Sequence, residues 1–246
     1  MPFIVAGDPD LEITEALVFK IAESGADMIE LGLPFSDPIA DGPVIQASSQ
    51  RALKKGVNLN DIFHLTGRLN GIDIPLVIMT YFNPILRFGL GDFAKRSRDC
   101  RIDGVIIPDL PPEEAGAWIS EARRVNLDTI FLLTPRSSEE RIRKINRLSR
   151  GFIYYVSVEG VTGMRERLSP DLEMEVKRIK GHTKKPVCVG FGISNPLQVK
   201  EIGHFADGVI IGSAIIKIIE ENLKDHRLFQ RIQEFISSLK KELKRY

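Results

Sequence analysis

The sequence predicts an α/β protein whose sheet closes into a (β/α)8 (TIM) barrel. Eight apolar runs of strand length recur along the chain, and amphipathic segments of helical period lie between them. The length of 246 residues suits eight such βα units in one closed domain. A strand apolar throughout, rather than alternately apolar and polar, is covered on both faces. That is the condition of a parallel sheet wrapped in helices.

The runs, in order, are FIVA (3–6), MIEL (28–31), LVIM (76–79), GVII (104–107), TIFLL (129–133), FIYYVSV (152–158), VCVG (187–190) and a second GVII (208–211). Helix-period segments fall at 11–23, 44–55, 113–125, 139–147 and 196–204. GADMIEL, RIDGVII and FADGVII each set an aspartate just ahead of a strand, as if one βα unit were reused. An open doubly wound sheet is the competitor, but it uses fewer strands and a glycine fingerprint after the first; AGDPD is no such fingerprint. No Ser/Gly-rich linker or shift in composition divides the chain, so 1–246 reads as a single domain. The tail from 228 to 246 carries Leu228, Ile232, Phe235, Ile236 and Leu239 on one stripe, the pattern of a closing helix laid on the barrel wall.

The hydrophobic fraction of 43% supports a sizeable core, and a net charge of +1 gives no field that would draw nucleic acid or an acidic membrane. Cys100 and Cys188 are far apart and each lies beside an apolar segment, which reads as two reduced core thiols in a cytoplasmic protein. MPFIVAGDPD has neither a basic leader nor an apolar stretch long enough for a signal peptide or a span, and it starts almost directly in a strand.

Barrel chemistry gathers at the C-terminal ends of the strands. Glu30 lies at that end of the second strand, inside an apolar run, where burial disfavours the ionised form and raises a carboxyl toward general acid/base duty. The plainer reading pairs it with a buried base, yet no strand core supplies one. Asp41, in PIADG, could be a simple Asp-Gly turn; the stiff loop LPFSDPIADG at a strand end favours a working role. Asp37, in SDP, reads as a turn, cap or interface residue. After the last three strands come GVTG (160–163), GFGIS (190–194) and IGSAI (211–215). Glycine turns allow close backbone approach, and a helix opening at GSAI offers N–H groups to an anion. A phosphate site is therefore expected at Gly163, Gly192, Gly212 and Ser213. The four histidines show no metal-ligand spacing, there is no nucleophile elbow, and no strand end carries a lysine for a Schiff base. A carbon–carbon cleavage here has to work through carboxylates, on a substrate that supplies its own electron sink.

The segment ELGLPFSDPIADG resembles the signature of the tryptophan synthase alpha subunit family. The similarity runs along the chain through PFIVAGDPD, MTYFNPI, PDLPPEE, GVTG, GFGIS and IGSAIIKII. Related barrels of histidine and tryptophan biosynthesis share the late glycines but not PFSDPIADG. The resemblance implies a lyase that splits indole-3-glycerol phosphate into indole and glyceraldehyde 3-phosphate. It implies Glu30 as the acid/base at indole C3 and the glycerol hydroxyl, and Asp41 as the charge stabiliser at the indole N–H. It further implies Phe3, Met79, Tyr81, Tyr154 and Phe191 around the indole, Thr162 in a loop over it, and phosphate contacts at Gly163, Gly192, Gly212 and Ser213. A partner is implied too: a beta subunit in an alpha2-beta2 heterotetramer, meeting the region of Asp37, Asn83, Pro84 and Pro111. Pyridoxal phosphate is expected only in that subunit; this chain is expected to hold no cofactor and no metal.

Two features depart from the family pattern. The amphipathic helix that usually precedes the first strand is missing: either the start codon was placed late, or the barrel is shortened, in which case exposed apolar residues and lower stability are expected. Glu159 replaces a small or neutral residue, and is expected to face solvent or Arg165 rather than the phosphate. Two other readings stay open at this level: a barrel kept as a binding and activating subunit, against which the presence of both Glu30 and Asp41 counts, and a phosphate-binding isomerase, for which an aromatic-poor pocket is expected.

Overall fold

The structure is a computed structural model that describes residues 1–157, 170–190, 192–223 and 225–243. Among the described residues nine strand segments fill the eight positions of a parallel barrel: β1 (Phe3–Val5), β2 (Ile29–Gly32), β3 (Leu76–Met79), β4 (Gly104–Ile106), β5 (Asp128–Ile130), β6 (Leu132–Leu133), β7 (Ile153–Val156), β8 (Val187–Gly190) and β9 (Gly208–Ile210). Pairing runs in sequence order from β1 to β5 and from β6 to β9, and every pair is parallel. β5 and β6 are two halves of the fifth barrel strand, parted at Phe131. The break is still bridged: the Tyr154 N–H donates to the Phe131 carbonyl at 3.2 Å, and the Phe131 N–H to Ser149 Oγ at 3.1 Å. Beyond β9 the cylinder closes on β1, with the Phe3 N–H donating to the Ile211 carbonyl at 2.8 Å and the Ile211 N–H to that of Met1 at 3.0 Å. Neither edge is left open for unwanted strand pairing.

Parallel neighbours need crossovers, and the helices supply them on the outside. They are α1 (Leu11–Glu23), α2 (Pro43–Lys54), α3 (Leu59–Arg68), α4 (Phe82–Phe88), α5 (Leu90–Asp99), α6 (Gly116–Arg124), α7 (Glu139–Leu148), α8 (Leu172–Lys180), α9 (Pro196–Ile202), α10 (Ser213–Glu221) and α11 (Leu228–Leu243). Their starts follow capping chemistry. Asp10 accepts the Ile13 N–H at 2.8 Å, Asn58 forms a capping box with Asp61, and Asn195 precedes Pro196 at the first turn of α9. The segment expected at 113–125 starts as a helix only at Gly116, because the residues after the Pro111–Pro112 pair form a turn. The last helix, α11, buries Leu228, Ile232, Ile236 and Leu239 against α1, α9 and α10. No helix among the described residues is long and apolar enough to cross a membrane.

Strand alternation sorts the buried residues into two cores. One lies between sheet and helices, with Leu17, Ile21, Leu31, Ile78 and Val105 among its members. The other fills the barrel interior with Val77, Ile106, Ile130, Phe152, Tyr154 and Ile210, and the half-buried Cys188 packs against it. Cys100 is buried outside the interior; both thiols are free. Glu30 pairs in register with Phe3 on one side and Val77 on the other, so it belongs to the inward-facing set.

One ionic network joins three segments behind the site. Asp8, in the loop after β1, is 1% exposed and accepts from Arg51 Nε at 2.8 Å, from Arg51 Nη2 at 2.7 Å and from the Ser48 hydroxyl. Arg51 Nη1 reaches on to Glu220 Oε1 at 2.8 Å. The loop after β1, helix α2 and helix α10 are thereby clamped together.

Candidate active site

A cavity opens at the C-terminal ends of the strands, walled by Phe3, Glu30, Asp41, Met79, Tyr154, Gly192, Gly212 and Ser213 among others. Eight residues expected from the sequence to form one site are thus brought together from both ends of the chain. A second cavity, of about 420 Å³, lies at the opposite end of the barrel near Ile29, Leu76 and Asp103. Its Arg98 is already paired with Asp103 at 3.1 Å. What locates the site is chemistry, not room.

Glu30 is that chemistry. It is 1% exposed, and neither carboxyl oxygen has a hydrogen-bond partner among the described residues. A buried polar group left unsatisfied costs stability and calls for a purpose. Burial pushes its pKa up to about 8; the chain's amino group works against that shift, and the nearby Asp41 carboxylate adds to it.

Asp41 is placed by local backbone rules. Its N–H closes a turn onto the Pro38 carbonyl at 3.0 Å, Gly42 is the N-cap of α2, and Pro43 fills the first helical position. Gln46 Nε2 donates to the Asp41 carbonyl at 2.8 Å and holds the turn to the helix. The Asp-Gly turn is real, and the carboxyl it carries also lines the cavity. Burial raises the Asp41 pKa to about 6, and the hydrogen bond from Tyr81 holds it back from going higher. Asp37 is an exposed turn residue whose carbonyl accepts the Ile39 N–H at 2.9 Å.

Tyr81 does not stand on the cavity wall. It sits behind Asp41, where its hydroxyl donates to Asp41 Oδ2 at 3.1 Å and accepts the Ala40 N–H at 3.0 Å. Phe35 stacks on its ring at 5.0 Å. Phe3, by contrast, reaches the cavity because two glycines make room: a Cβ on Gly32 would stand 2.6 Å from the Phe3 ring, and one on Gly212 would stand 3.1 Å from it. Gly212 is also the N-cap of α10 and Ser213 is its first residue, and among the described residues no side-chain cap hydrogen bond is made at that end. Gly192 has φ +76°, a backbone region open to glycine at little cost. Thr162, Gly163 and Phe191, and with them Glu159 and Arg165, lie outside the described residues.

Sequence reasoning missed Ile45, Pro108, Leu132, Ile193 and Ile210 in the wall. Two carried a usable signal. Leu132 follows Ile130 by two, and Ile210 follows Gly208 by two, so strand alternation turns both inward at the strand ends. Among the described residues no group of three His, Cys, Asp or Glu stands close enough to hold a metal ion.

Gly190 on β8 makes a further demand. A Cβ there would lie 2.5 Å from Tyr154 Cε2 and 2.6 Å from its hydroxyl, closer than any tolerated contact. Gly190→Ala is expected to displace Tyr154 from the cavity and to cost about 1–3 kcal/mol through overpacking. Thermal unfolding checks this; an unchanged midpoint would show that the ring has another seat.

Burial thus raises the pKa of two carboxyls of one cavity, that of Glu30 to about 8 and that of Asp41 only to about 6 because Tyr81 donates to it, beside the start of α10. Fold and site together define a (β/α)8 barrel protein with two buried carboxyls of raised pKa on its strand-end face. The family model for "Tryptophan synthase alpha chain" matches residues 1–244. The tryptophan synthase alpha chain of Geotalea uraniireducens is 49% identical over 243 residues, which is 98% of this chain and 91% of that one. That of Geobacter sulfurreducens is 49% identical over 242 residues, with 98% and 91% covered. Among solved structures, the alpha subunit from Legionella pneumophila superposes with a TM-score of 0.91 at 36% identity, covering 100% of this chain and 92% of that one. A chain of Mycobacterium tuberculosis tryptophan synthase gives 0.89 at 36% identity, with 98% and 91% covered. This chain belongs to the tryptophan synthase alpha chain family.

Proposed function

We propose that the protein is a lyase that cleaves indole-3-glycerol phosphate to indole and glyceraldehyde 3-phosphate. The observation that carries the reading is Glu30, which is buried, has no hydrogen-bond partner among the described residues and faces a largely apolar cavity. With a pKa of about 8 it is mostly protonated at pH 7 and can deliver a proton to indole C3. Protonation makes the ring an iminium-like electron sink. Asp41, with a pKa of about 6, is mostly ionised at that pH and stabilises the positive charge at the ring N–H. The Glu30 carboxylate then takes the proton of the glycerol hydroxyl. That hydroxyl becomes the aldehyde carbonyl, the carbon–carbon bond breaks, and its electron pair returns to the indole ring. Phe3, Met79 and Tyr154 hold the indole. The phosphate lies at Gly192, Gly212 and Ser213, on the N-terminal end of α10.

No step uses a cofactor in this chain. Its partner is a beta subunit that holds pyridoxal phosphate and consumes the indole, in an alpha2-beta2 heterotetramer in the cytoplasm. Ile39 and Leu86, 83% and 57% exposed on the strand-end face beside Asp37, Asn83 and Pro84, suit such a docking surface. The test is indole release from indole-3-glycerol phosphate by the purified protein, with and without a beta subunit. Slow release that rises sharply with the partner is expected; release in neither case would overturn the reading.

A further inference from the structure

We propose that Asp109 is a positioning residue for Asp41 and acts on it through Tyr81. The proposal rests on the role given to Asp41 above, and it concerns a residue outside the cavity.

Asp109 lies in the loop between β4 and α6, and its Oδ1 accepts the backbone N–H of Phe82 at 2.9 Å. Phe82 opens α4. Tyr81, the N-cap residue, makes no side-chain cap of its own. Asp109 therefore does from a neighbouring loop what an N-cap side chain does from within. The amide it holds is the one next to Tyr81, so it fixes the backbone from which the Tyr81 ring projects. That ring is buried, is stacked on Phe35, and ends in the hydroxyl that grips both the Asp41 carboxyl and the Ala40 amide.

The loop that carries Asp109 is itself anchored. Glu113 accepts from Arg141 and, at 2.8 Å, from Lys144, both on α7. The Leu110 N–H closes a turn onto the Ile107 carbonyl at 3.3 Å, and the Glu114 N–H one onto Pro111 at 3.0 Å. Pro108, Pro111 and Pro112 stiffen what lies between. Three successive strand-end loops are thus joined in line, from α7 through Asp109, Phe82 and Tyr81 to Asp41. A cap that served only α4 would stabilise that helix and leave the carboxyl of another loop unaffected.

The test is a double-mutant cycle in indole release, with crystal structures of the single variants. Asp109→Ala is expected to lower kcat about 10-fold, the scale of a modest misplacement, with KM unchanged because the phosphate end is untouched. Asp109→Asn keeps an acceptor oxygen and is expected to restore most of the rate. Tyr81→Phe and the Asp109→Ala/Tyr81→Phe double variant are expected to lose about as much as each other, since both cut the same line. In the Asp109→Ala crystal the Tyr81 hydroxyl is expected to leave Asp41. Independent, multiplying losses, or a crystal with that hydrogen bond intact, would overturn the proposal. Asp41→Asn measured alongside separates the two levels: full turnover there removes the role of Asp41 and this proposal with it, whereas lost turnover with an additive cycle removes this proposal alone.

Discussion

Glu30→Gln is expected to lower indole release by about 10³-fold or more, because the amide can neither give nor take the proton. Binding of inorganic phosphate or glycerol phosphate is expected to persist, since the α10 end of the cavity is unchanged. The same substitution has a stability signature of known sign. Glu30 is raised in the folded protein from 4.5 to about 8. Below about pH 4.5 both folded and unfolded chains hold the proton, and there is no penalty. As pH rises above that value the unfolded chain ionises while the folded one does not, so stability falls. The fall is complete at about pH 8, where it amounts to about 4–5 kcal/mol. Glutamine carries no such penalty. The variant is therefore expected to gain on its parent steadily from pH 5 to pH 8. Urea unfolding of both proteins at pH 5 and pH 8 measures it. A gap that does not widen, together with full turnover, would show that Glu30 is an ordinary ionised carboxylate with a partner.

Arg51→Met is expected to produce the largest loss of stability. It leaves the Asp8 carboxyl, 1% exposed, with the Ser48 hydroxyl as its one remaining side-chain donor among the described residues. Removing one member of a buried ion pair costs about 3–5 kcal/mol, because the desolvation of the other is no longer offset. For a chain of this size that corresponds to a fall in the melting midpoint of roughly 10 °C. A second change, Asp8→Leu, removes the stranded charge and is expected to recover much of the loss. If Arg51→Met alone shifts the midpoint by only about 1 °C, a typical surface effect, the clamp joining the loop after β1 to α2 and α10 contributes little.

Much of this was written locally. The eight apolar runs, the caps at Asp10, Asn58 and Asn195 and the stripe along α11 each depend on residues a few positions apart, and period-2 or period-3.6 patterning exposes such dependence directly. Errors were local as well. The fifth strand is parted at Phe131, where the 3.1 Å bond to Ser149 Oγ replaces a ladder bond, and that partner lies eighteen residues away. Helices α3, α4, α5 and α8 went unread; in α4 and α5 the separating Gly89, at φ +98°, breaks one apolar pattern into two short ones.

By itself, then, the sequence determined the barrel, its family, and which end of it bears the carboxylates and glycines, because a buried parallel strand leaves a compositional trace that no surface strand shares. Tertiary structure alone decided what those groups are. Glu30 has a pKa of about 8 because the barrel buries it and no described residue gives its carboxyl a hydrogen bond, and Asp41 has one of about 6 because burial raises it while Tyr81, forty residues away, donates at 3.1 Å and holds it back from going higher. Desolvation and a single long-range hydrogen bond depend on every wall of the cavity at once, and no local pattern of residues encodes that.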